Sequence, residues 1–497
     1  MDARADRMRR FLPFLLLVLA AHEMQAQSED DALRFAFQLP GGTARSGALA
    51  GAFGAVGADP GCIGLNPGGL GLYTRTEVSL TPSLEVNTTT SDHYGQGATG
   101  TADRFFLNNF ALVLSTPTER GSEWRYNTFG LVYDRNASHY WRREADAAPV
   151  NTSLLDYFAD EAGGTFSGDL YSIFPFTAGL AWDTYGIDPA DPTDSLGTSY
   201  IPSFPSGSDV RQEHTIESEG ATKTTSFFYA ANYADKLFIG ASLGIVGIRY
   251  DRTTVHRETT LDQGLDLATF TYREDLSTRG TGVDLKLGAV VQAGSSARVG
   301  LAFHTPMWVN MNDAYRTEMS TSFRAGDGYT QSSPDGAFAY RLRTPWRLLG
   351  SFAYVFGERG LVSVDAEWTD HRRTKLRKSL DGFDSYDFEA ENQAIRNVAA
   401  NTLSVRAGTE WRSGNWYFRA GVGYHPSAYV ETDERSGDAL MRYTGGFGFR
   451  TDHLSLDLAY QQSNSSGAYF QYAAYLVEPT TEQRTTSQAL LTIAYRP

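Results

Sequence analysis

The sequence predicts an all-β protein: a transmembrane antiparallel β-barrel of about fourteen strands, with an N-terminal hatch in the lumen and long extracellular loops. Three observations predict this class. The chain begins with an export signal, a segment rich in glycine and alanine follows, and most of the sequence after residue 75 alternates apolar with polar residues. Such alternation is the pattern of a strand that faces lipid on one side and the lumen on the other.

Residues 1–26 are predicted to be a cleaved signal peptide. Arg9 and Arg10 precede the apolar run 11–21, and the small residue Ala26 offers a cleavage site. This order of basic, apolar and small residues is typical of secretion signals, and the apolar run is too short to span a bilayer as a helix. The mature chain is therefore expected to be exported and to lie in the bacterial outer membrane.

The composition argues against several other classes of protein. A net charge of −15 does not suit nucleic-acid binding, which needs a basic surface. A single cysteine excludes an intramolecular disulfide framework. The histidines are scattered, without the spacing of metal ligands and without a nucleophile nearby in sequence. No metal, cofactor or enzymatic activity is therefore expected.

The segment 27–74 is predicted to form a compact plug, or hatch, inside the barrel. Residues 37–73 are mostly glycine, alanine and other small residues, with turn signals at 59–61 and 66–69. Because glycine permits close backbone approach and proline fixes φ, we expect tight turns in place of a long helix or strand. Since the segment is N-terminal, it is expected to begin in the periplasm and fold up into the lumen.

The barrel itself is predicted to occupy residues 75–497. In the clearest strand, residues 454–461, leucine and tyrosine alternate with small or polar residues. A soluble β-sandwich would alternate too, but the export signal, the acidic strand faces and the strand lengths favour the membrane barrel. Short turns are expected on the periplasmic side. The predicted strands lie near 75–88, 103–116, 124–137, 213–233, 237–256, 279–293, 297–311, 337–356, 361–376, 400–412, 416–427, 440–450, 454–464 and 485–496.

The longest predicted extracellular loop, residues 137–212, is expected to be partly helical. Residues 153–161 place apolar side chains at helical spacing after a serine that suits a helix start. A second apolar cluster follows at residues 170–176. These side chains either collect apolar solutes at the barrel mouth or only pack on each other. The candidate collecting residues are Leu154, Leu155, Phe158, Ile173, Phe174 and Phe176.

Six short motifs, spread over nearly the whole mature chain, carry a family resemblance. They are LPGGTARS at 39–46, GAFGA at 51–55, LNPGGLG at 65–71, SLLDYFA at 153–159, AFHTP at 302–306 and YVFG at 354–357. With them the chain resembles the FadL/TodX family of outer-membrane transport barrels, in the branch often labelled hemin receptors. The resemblance implies a fourteen-stranded barrel with an N-terminal hatch. It also implies uptake of hydrophobic molecules, of which long-chain fatty acids are the best-known class.

The family's hatch motif, Asn-Pro-Ala, corresponds to Asn66, Pro67 and Gly68. Glycine in place of the alanine loosens the backbone, so the behaviour of the hatch is expected to differ. We expect passive, hatch-gated uptake of a fatty-acid-like solute, with that solute and outer-membrane lipid as partners. The alternative is an outer-membrane scaffold or secretion-associated barrel that binds a partner protein through its extracellular loops.

Overall fold

The polypeptide forms a closed antiparallel barrel of fourteen strand passes, which confirms the predicted class. The computed structural model describes residues 29–193, 197–380 and 386–497, so the predicted signal peptide lies outside the described residues. Closure is completed where the last strand pairs with the first, with Val78 opposite Tyr495. The strands are β1 (Glu77–His93), β2 (Gln96–Pro117), β3 (Trp124–Ser138), β4 (Trp141–Val150), β5 (Ile187–Pro189), β6 (Tyr200–Pro202), β7 (Val210–Tyr233), β8 (Leu237–Thr260), β9 (Leu267–Ala293), β10 (Ala297–His304), β11 (Trp308–Phe323), β12 (Gly328–Ser332), β13 (Gly336–Arg343), β14 (Arg347–Val355), β15 (Gly360–Asp370), β16 (Lys375–Lys378), β17 (Asn401–Ser413), β18 (Trp416–His425), β19 (Leu440–Arg450), β20 (Leu454–Tyr469) and β21 (Thr480–Tyr495).

Short helices lie in the lumen and on the extracellular side. None of those in the described residues is long and apolar enough to cross a membrane. The α-helices are α1 (Glu29–Ala36), α2 (Ala44–Ala48), α3 (Leu154–Ala162), α4 (Leu170–Ile173), α5 (Ala178–Asp183) and α6 (Glu389–Val398). The 3-10 helices are Pro60–Gly64, Pro67–Leu72, Ser167–Asp169 and His371–Arg373.

The barrel is apolar outside and charged inside, the reverse of a water-soluble protein. Leu84 on β1 and Val364 on β15 are exposed, whereas their neighbours Glu85 and Asp365 are buried towards the lumen. Large apolar side chains of most strands form a continuous outward-facing belt, and aromatic residues such as Trp308 lie at its margins. This is the surface of a barrel that spans a membrane through its strands.

Three strand passes bend where the sequence predicts continuous strands. The predicted strands 297–311, 337–356 and 361–376 are each divided into two strands in the structure. Pro306 and Pro345 cannot donate to the strand ladder, so the first two passes break beside them. The two breaks face each other: Met307 N donates to Thr344 Oγ1 at 2.9 Å and Thr344 N donates to Met307 O at 3.1 Å. The third pass breaks at the 3-10 helix His371–Arg373. The wall therefore bends at one level across three passes.

The predicted loop 137–212 is shorter than expected. After a break at His139, the chain continues as β4, which pairs with β7 from Trp141 opposite Ser218. Most partners of β4 lie in the predicted strand 213–233, and β7 begins only three residues earlier, at Val210. The described residues between 151 and 209 then fold into a compact unit of α3, α4, α5 and the β5–β6 pair, which we call the cap.

Helix α6 covers a gap in the wall beside β16. The ladder of β15 and β17 ends with Asp370 opposite Asn401, and above it no described strand pairs with that edge of β16. The side chain of Asn392 takes the place of a strand. Its Nδ2 donates to Leu376 O and its Oδ1 accepts from Leu376 N, both at 2.9 Å. One side-chain amide thus satisfies both peptide groups of Leu376.

The Asn392→Leu substitution is expected to leave these two buried peptide groups without partners. The cost should be about 1–3 kcal/mol for each group. Amide hydrogen exchange of residues 375–378 should accelerate by at least about tenfold. Asn397→Leu, on the exposed face of the same helix, is the matched control. If Asn392→Leu exchanged no faster than this control, the amide would not be what protects the strand edge.

The N-terminal segment runs down the lumen, not up from the periplasm as expected from the sequence. Helix α1 packs in the upper lumen, where Phe35 meets Tyr250 with ring centroids 5.9 Å apart. Arg435 Nη1 pairs with Glu29 at 2.7 Å and with Asp30 at 2.8 Å. Arg435 belongs to the long connection between β18 and β19, at the end opposite the short turn that joins β17 to β18. The chain therefore descends from the extracellular side to the start of β1.

Candidate functional site

Asn66 of the hatch motif joins two hatch turns to the barrel wall. Its Oδ1 accepts from Gly68 N at 3.0 Å and so caps the 3-10 helix that Pro67 begins. Its Nδ2 donates to Gly54 O at 2.8 Å and to Ala289 O of β9 at 3.0 Å. The side chain is completely buried. Replacing it would leave polar groups of both the hatch and the wall without partners.

Gly68 lies where the hatch comes closest to the wall. A Cβ added at this position would lie 2.8 Å from Cα of Ala289 and 2.9 Å from the carbonyl carbon of Gly288, both in the backbone of β9. The wall is equally close in return, since a Cβ at Gly240 of β8 would lie 2.2 Å from Pro67 O. The family's alanine therefore does not fit here unless the hatch or the strand moves.

Buried ion pairs hold the other side of the hatch. Arg45 of α2 donates through Nε and Nη2 to the two carboxylate oxygens of Glu410 on β17, each at 2.9 Å. Glu410 also accepts from Arg419 Nε of β18 at 2.6 Å, and Arg419 Nη1 donates to Asp457 of β20 at 2.6 Å. All four side chains are buried. A bidentate arginine–carboxylate contact is strong, and a charge left alone in this surrounding is costly.

A second wall carboxylate binds the hatch backbone directly. Oδ2 of Asp365 on β15 accepts from Phe53 N at 3.0 Å and from Gly54 N at 2.9 Å. Arg406 on β17 supplies the counter-charge, with nitrogens 4.0 Å from Asp365 Oδ2 and 3.1 Å from Glu367 Oε2. The hatch is thus held by close backbone packing on β8 and β9, and by charges on β15, β17 and β18.

Asp59 is a buried carboxyl group within the hatch. Its Oδ1 accepts from Thr43 Oγ1 and from Gly61 N, both at 2.8 Å. Burial raises the pKa of Asp59 to about 6, and the nearby Arg45 opposes part of that rise. Because the folded pKa exceeds the unfolded value, this group stabilises the hatch fully below about pH 4. The contribution is lost as the pH rises through the folded value.

Raising the pH from about 4.5 to about 7 is therefore expected to loosen the hatch. The reporter is Cys62, the single cysteine of the chain, which is buried. Its rate of thiol labelling, divided by the rate of the unfolded protein at the same pH, should rise about tenfold over this interval. The Asp59→Asn variant should lose most of that dependence. An identical pH profile for the variant would assign the effect to other groups.

A cavity of about 150 Å³ lies above the hatch. Its floor is the hatch turn 39–43, and its sides come from β1 to β4 and from β19 to β21. Phe106 and Trp141 contribute aromatic surface. Arg442 is buried, donates from Nε to Ser463 Oγ at 3.1 Å, and forms no ion pair with a carboxylate of the described residues. The cavity therefore combines apolar surface with a buried cation, Arg442, and a buried carboxylate, Glu85, which lies within electrostatic range of Arg442 without forming an ion pair with it.

The strand ladder of the barrel wall is interrupted beside this cavity. We call this interruption the gap. It is covered by β4, since a Cβ at Gly100 would lie 2.7 Å from Arg142 O, and it is bridged by the Arg104–Glu219 pair. The β2–β3 ladder runs from the periplasmic end only as far as Asn109 opposite Asp134. Above that level β4 bends into the lumen, where Asn87 Nδ2 donates to Tyr140 O at 2.7 Å. Residues 96–107 of β2 then pair with β1 alone among the described strands. Side chains from both borders of this gap line the cavity, so the cavity and the gap are contiguous.

The predicted collecting residues lie in two different surroundings. Leu154, Leu155 and Phe158 are buried in the core of the cap, and Glu258 of β8 fixes their helix by accepting from Leu154 N at 2.9 Å. The remaining three are exposed or half-buried: Ile173, Phe174 and Phe176. A collecting role for the first three would require the cap to unfold locally, whereas Ile173 already faces solvent.

The side chains that hold the hatch were not predicted. Asp365 lies on the polar face of a predicted strand, so the sequence indicates that its charge faces the lumen. No local signal indicates that it contacts Phe53. His304, one of the scattered histidines, donates from Nε2 to Leu65 O of the hatch at 2.7 Å. In the part of the chain that the structure describes, no group of three or more His, Cys, Asp or Glu could hold a metal ion.

Solved structures with this architecture cover nearly the whole chain. The P. putida toluene transporter TodX is 12% identical, with a TM-score of 0.53, over 92% of this chain and 99% of that chain. A Pseudomonas aeruginosa FadL homologue is 13% identical, with a TM-score of 0.54, over 93% and 99%. The monoaromatic hydrocarbon channel CymD is 12% identical, with a TM-score of 0.50, over 93% and 99%.

No protein-family model matches the sequence, and no curated protein matches it. None of the three structures just named is described as a hemin receptor. The resemblance noted in the sequence motifs is confirmed at the level of the fold: the chain has the fold of the FadL and TodX outer-membrane β-barrels.

Proposed function

We propose that the protein is a passive outer-membrane channel for the uptake of hydrophobic small molecules. The observation that carries this proposal is the cavity that lies between the hatch and the gap in the wall. A solute in this cavity is shielded from the polar extracellular surface and lies beside the place where β4 would have to move for the solute to reach lipid through the interrupted β2–β3 ladder. The similar structures are a toluene transporter, a monoaromatic hydrocarbon channel and a FadL homologue, which supports a hydrophobic solute.

The solute is an amphipathic molecule with an anionic head, as a long-chain fatty acid is. A neutral hydrocarbon would leave the buried guanidinium of Arg442 without an ion-pair partner in contact, because Glu85 lies within electrostatic range but does not pair with it. A carboxylate would form a charge-assisted hydrogen bond with it. The chain of such a solute would lie on Phe106 and Trp141, where burial contributes about 25 cal/mol for each Å² of apolar area.

Binding of the solute gates the hatch. The hatch turn 39–43 is the floor of the cavity, and Asn108 of β2 donates from Nδ2 to Gly42 O at 2.6 Å. The floor and one border of the wall gap are therefore directly linked. A solute shifts the hatch only to the extent that it binds the shifted state more tightly. The hatch is attached to the wall by close packing at one contact and by ion pairs at another. One of these contacts can therefore break while the other stays intact.

The test compares oleate with oleyl alcohol, which share a chain but differ in head charge. Proteoliposomes containing the full barrel should take up both faster than empty vesicles. Arg442→Gln should raise the oleate concentration that gives half-maximal uptake by about tenfold or more. The corresponding concentration of oleyl alcohol should not change. Arg257→Gln, on the outer surface, is the control. Equal losses for both solutes would contradict the anionic head, and uptake no faster than empty vesicles would contradict the channel.

A surface scaffold is the second candidate, favoured by the large apolar side chains that the cap exposes. Ile173 and Tyr185 are 55% and 51% exposed. A partner protein retained by the intact cap and released by charged substitutions at these two positions, together with no uptake of either solute, would favour the scaffold over the channel.

A further inference from the structure

Four basic side chains lie together on the outer wall just above the apolar belt. Lys223 of β7, Arg249 of β8 and Arg279 of β9 face outward and are exposed. Arg135, Arg249 and Arg104 of β2 lie within electrostatic range of Lys223, but Arg135 lines the cavity in the lumen and is not counted among the four. These four residues are called the basic patch. It stands out in a chain whose net charge is −15.

The strand register places the basic patch at the boundary of the membrane. Ile245, Val283 and Trp308 are paired neighbours across three strands, and all are exposed on the outer wall. Arg249 lies four residues after Ile245 in β8, and Arg279 lies four residues before Val283 in β9. The two arginines are paired with each other across the strands. At about 3.3 Å per residue along tilted strands, they lie roughly 10 Å above the last apolar row. Their flexible side chains reach the level of lipid headgroups.

The protein supplies too few carboxylates to neutralise the basic patch. Arg249 and Arg279 lie directly opposite each other, an arrangement of like charges that is destabilising by itself. Asp251 is shared between them, at 2.9 Å from Arg249 Nε and 2.8 Å from Arg279 Nη1. Glu219 pairs with Arg104 at 3.2 Å, and Lys223 forms no ion pair within the described chain. In the ion pairs of the basic patch, two carboxylates thus face four cations; Glu217 and Asp275, on the same wall, are paired with Arg142 and Arg273.

We propose that the basic patch binds the phosphate groups of a phosphorylated glycolipid in the outer leaflet. Guanidinium groups match phosphate oxygens in pairs, and lysine adds a point charge. Basic clusters at the edge of a membrane-spanning region attract anionic headgroups in the same way. The acyl chains would lie below, on the exposed side chains of Phe227, Ile245 and Val283. The site is outside the lumen, so it does not depend on the proposed transport.

The test uses the full barrel in detergent with three probes: lipid A that carries both phosphates, the same lipid after enzymatic dephosphorylation, and inorganic phosphate. Binding is followed by native mass spectrometry and by the shift in the thermal unfolding temperature. The variant combines Lys223→Gln, Arg249→Gln and Arg279→Gln. The control combines Arg257→Gln, Arg273→Gln and Arg316→Gln, which are exposed on β8, β9 and β11 but farther from the belt.

The native barrel and the control should prefer phosphorylated lipid A over the dephosphorylated lipid. The variant should bind phosphorylated lipid A about a hundredfold more weakly, since each basic residue near an anionic lipid contributes about fivefold. Equal binding of both lipids by the native barrel, or equal binding by variant and control, would overturn the proposal. Inorganic phosphate binding as tightly as lipid A would also overturn it, in favour of a free-anion site. If the triple variant does not fold, Lys223→Gln alone should weaken binding about fivefold, and no change would overturn it.

Discussion

Replacing Gly68 with alanine is expected to release the hatch, although it restores the family's hatch motif. The added Cβ would lie 2.8 Å from Ala289 Cα and 2.9 Å from the carbonyl carbon of Gly288, and neither backbone atom can rotate away. Overpacking of this kind costs about 1–3 kcal/mol. Because 1.4 kcal/mol is a tenfold change in an equilibrium, labelling of the buried Cys62 should accelerate by about tenfold to a hundredfold.

The matched control is Gly247→Ala in β8. A Cβ at Gly247 meets no heavy atom within 4 Å, so the same chemical change should leave Cys62 protected. Proteoliposomes with the Gly68 variant should also leak small polar solutes faster than those with the control. Protection of Cys62 in the Gly68 variant equal to that of the control would mean that β9 yields to the methyl group and that the close contact does not hold the hatch.

The Glu410→Gln variant is expected to release the hatch further. It removes the carboxylate shared by Arg45 and Arg419, so Arg45 loses its ion pair, whereas Arg419 keeps its pair with Asp457. Breaking a buried ion pair in this way costs about 3–5 kcal/mol. Cys62 labelling should then accelerate by at least about a hundredfold. The variant should also melt at a lower temperature, because Arg419 links neighbouring barrel strands.

Adding Arg45→Met to this variant separates the hatch contact from the wall contact. If the Arg45–Glu410 pair is what attaches α2, the double variant should label no faster than Glu410→Gln alone. The control is Arg396→Gln, which breaks an exposed pair with Glu389 on α6. Exposed pairs contribute about 0–1 kcal/mol, so its labelling should be unchanged. An effect of Glu410→Gln no larger than that of this control would show that the hatch is held by packing alone.

These two variants act on two different contacts of the hatch. Gly68 belongs to the close contact with β9, and Glu410 to the charged contact on β17 and β18. We expect oleate to accelerate Cys62 labelling in the native barrel if it opens the hatch. A variant in which oleate gives no further acceleration has already lost the contact that oleate releases. This outcome would show which contact breaks when the solute binds, and hence in which direction the hatch moves.

The sequence carries a signal for two of the strand breaks that interrupt the predicted strands. Pro306 and Pro345 lie within predicted strands, and a proline in a strand interior argues for a break. Both passes do break there. Asn392 gave no comparable signal, because an asparagine on a short polar helix has many possible roles. Its pairing with Leu376 follows only from the end of the β15–β17 ladder.

By itself, the sequence determined the barrel, its number of passes and the presence of a small-residue hatch. Lipid on one side and a polar lumen on the other impose a two-residue alternation that each strand carries locally. The tertiary structure alone decided how the hatch is seated. Arg45 and Glu410 are 365 residues apart, so no local pattern pairs them. Closure of the barrel brings β17 and β9, which are four strand passes apart, to the same plug. Whether a hatch residue meets a carboxylate or a strand backbone depends on that closure.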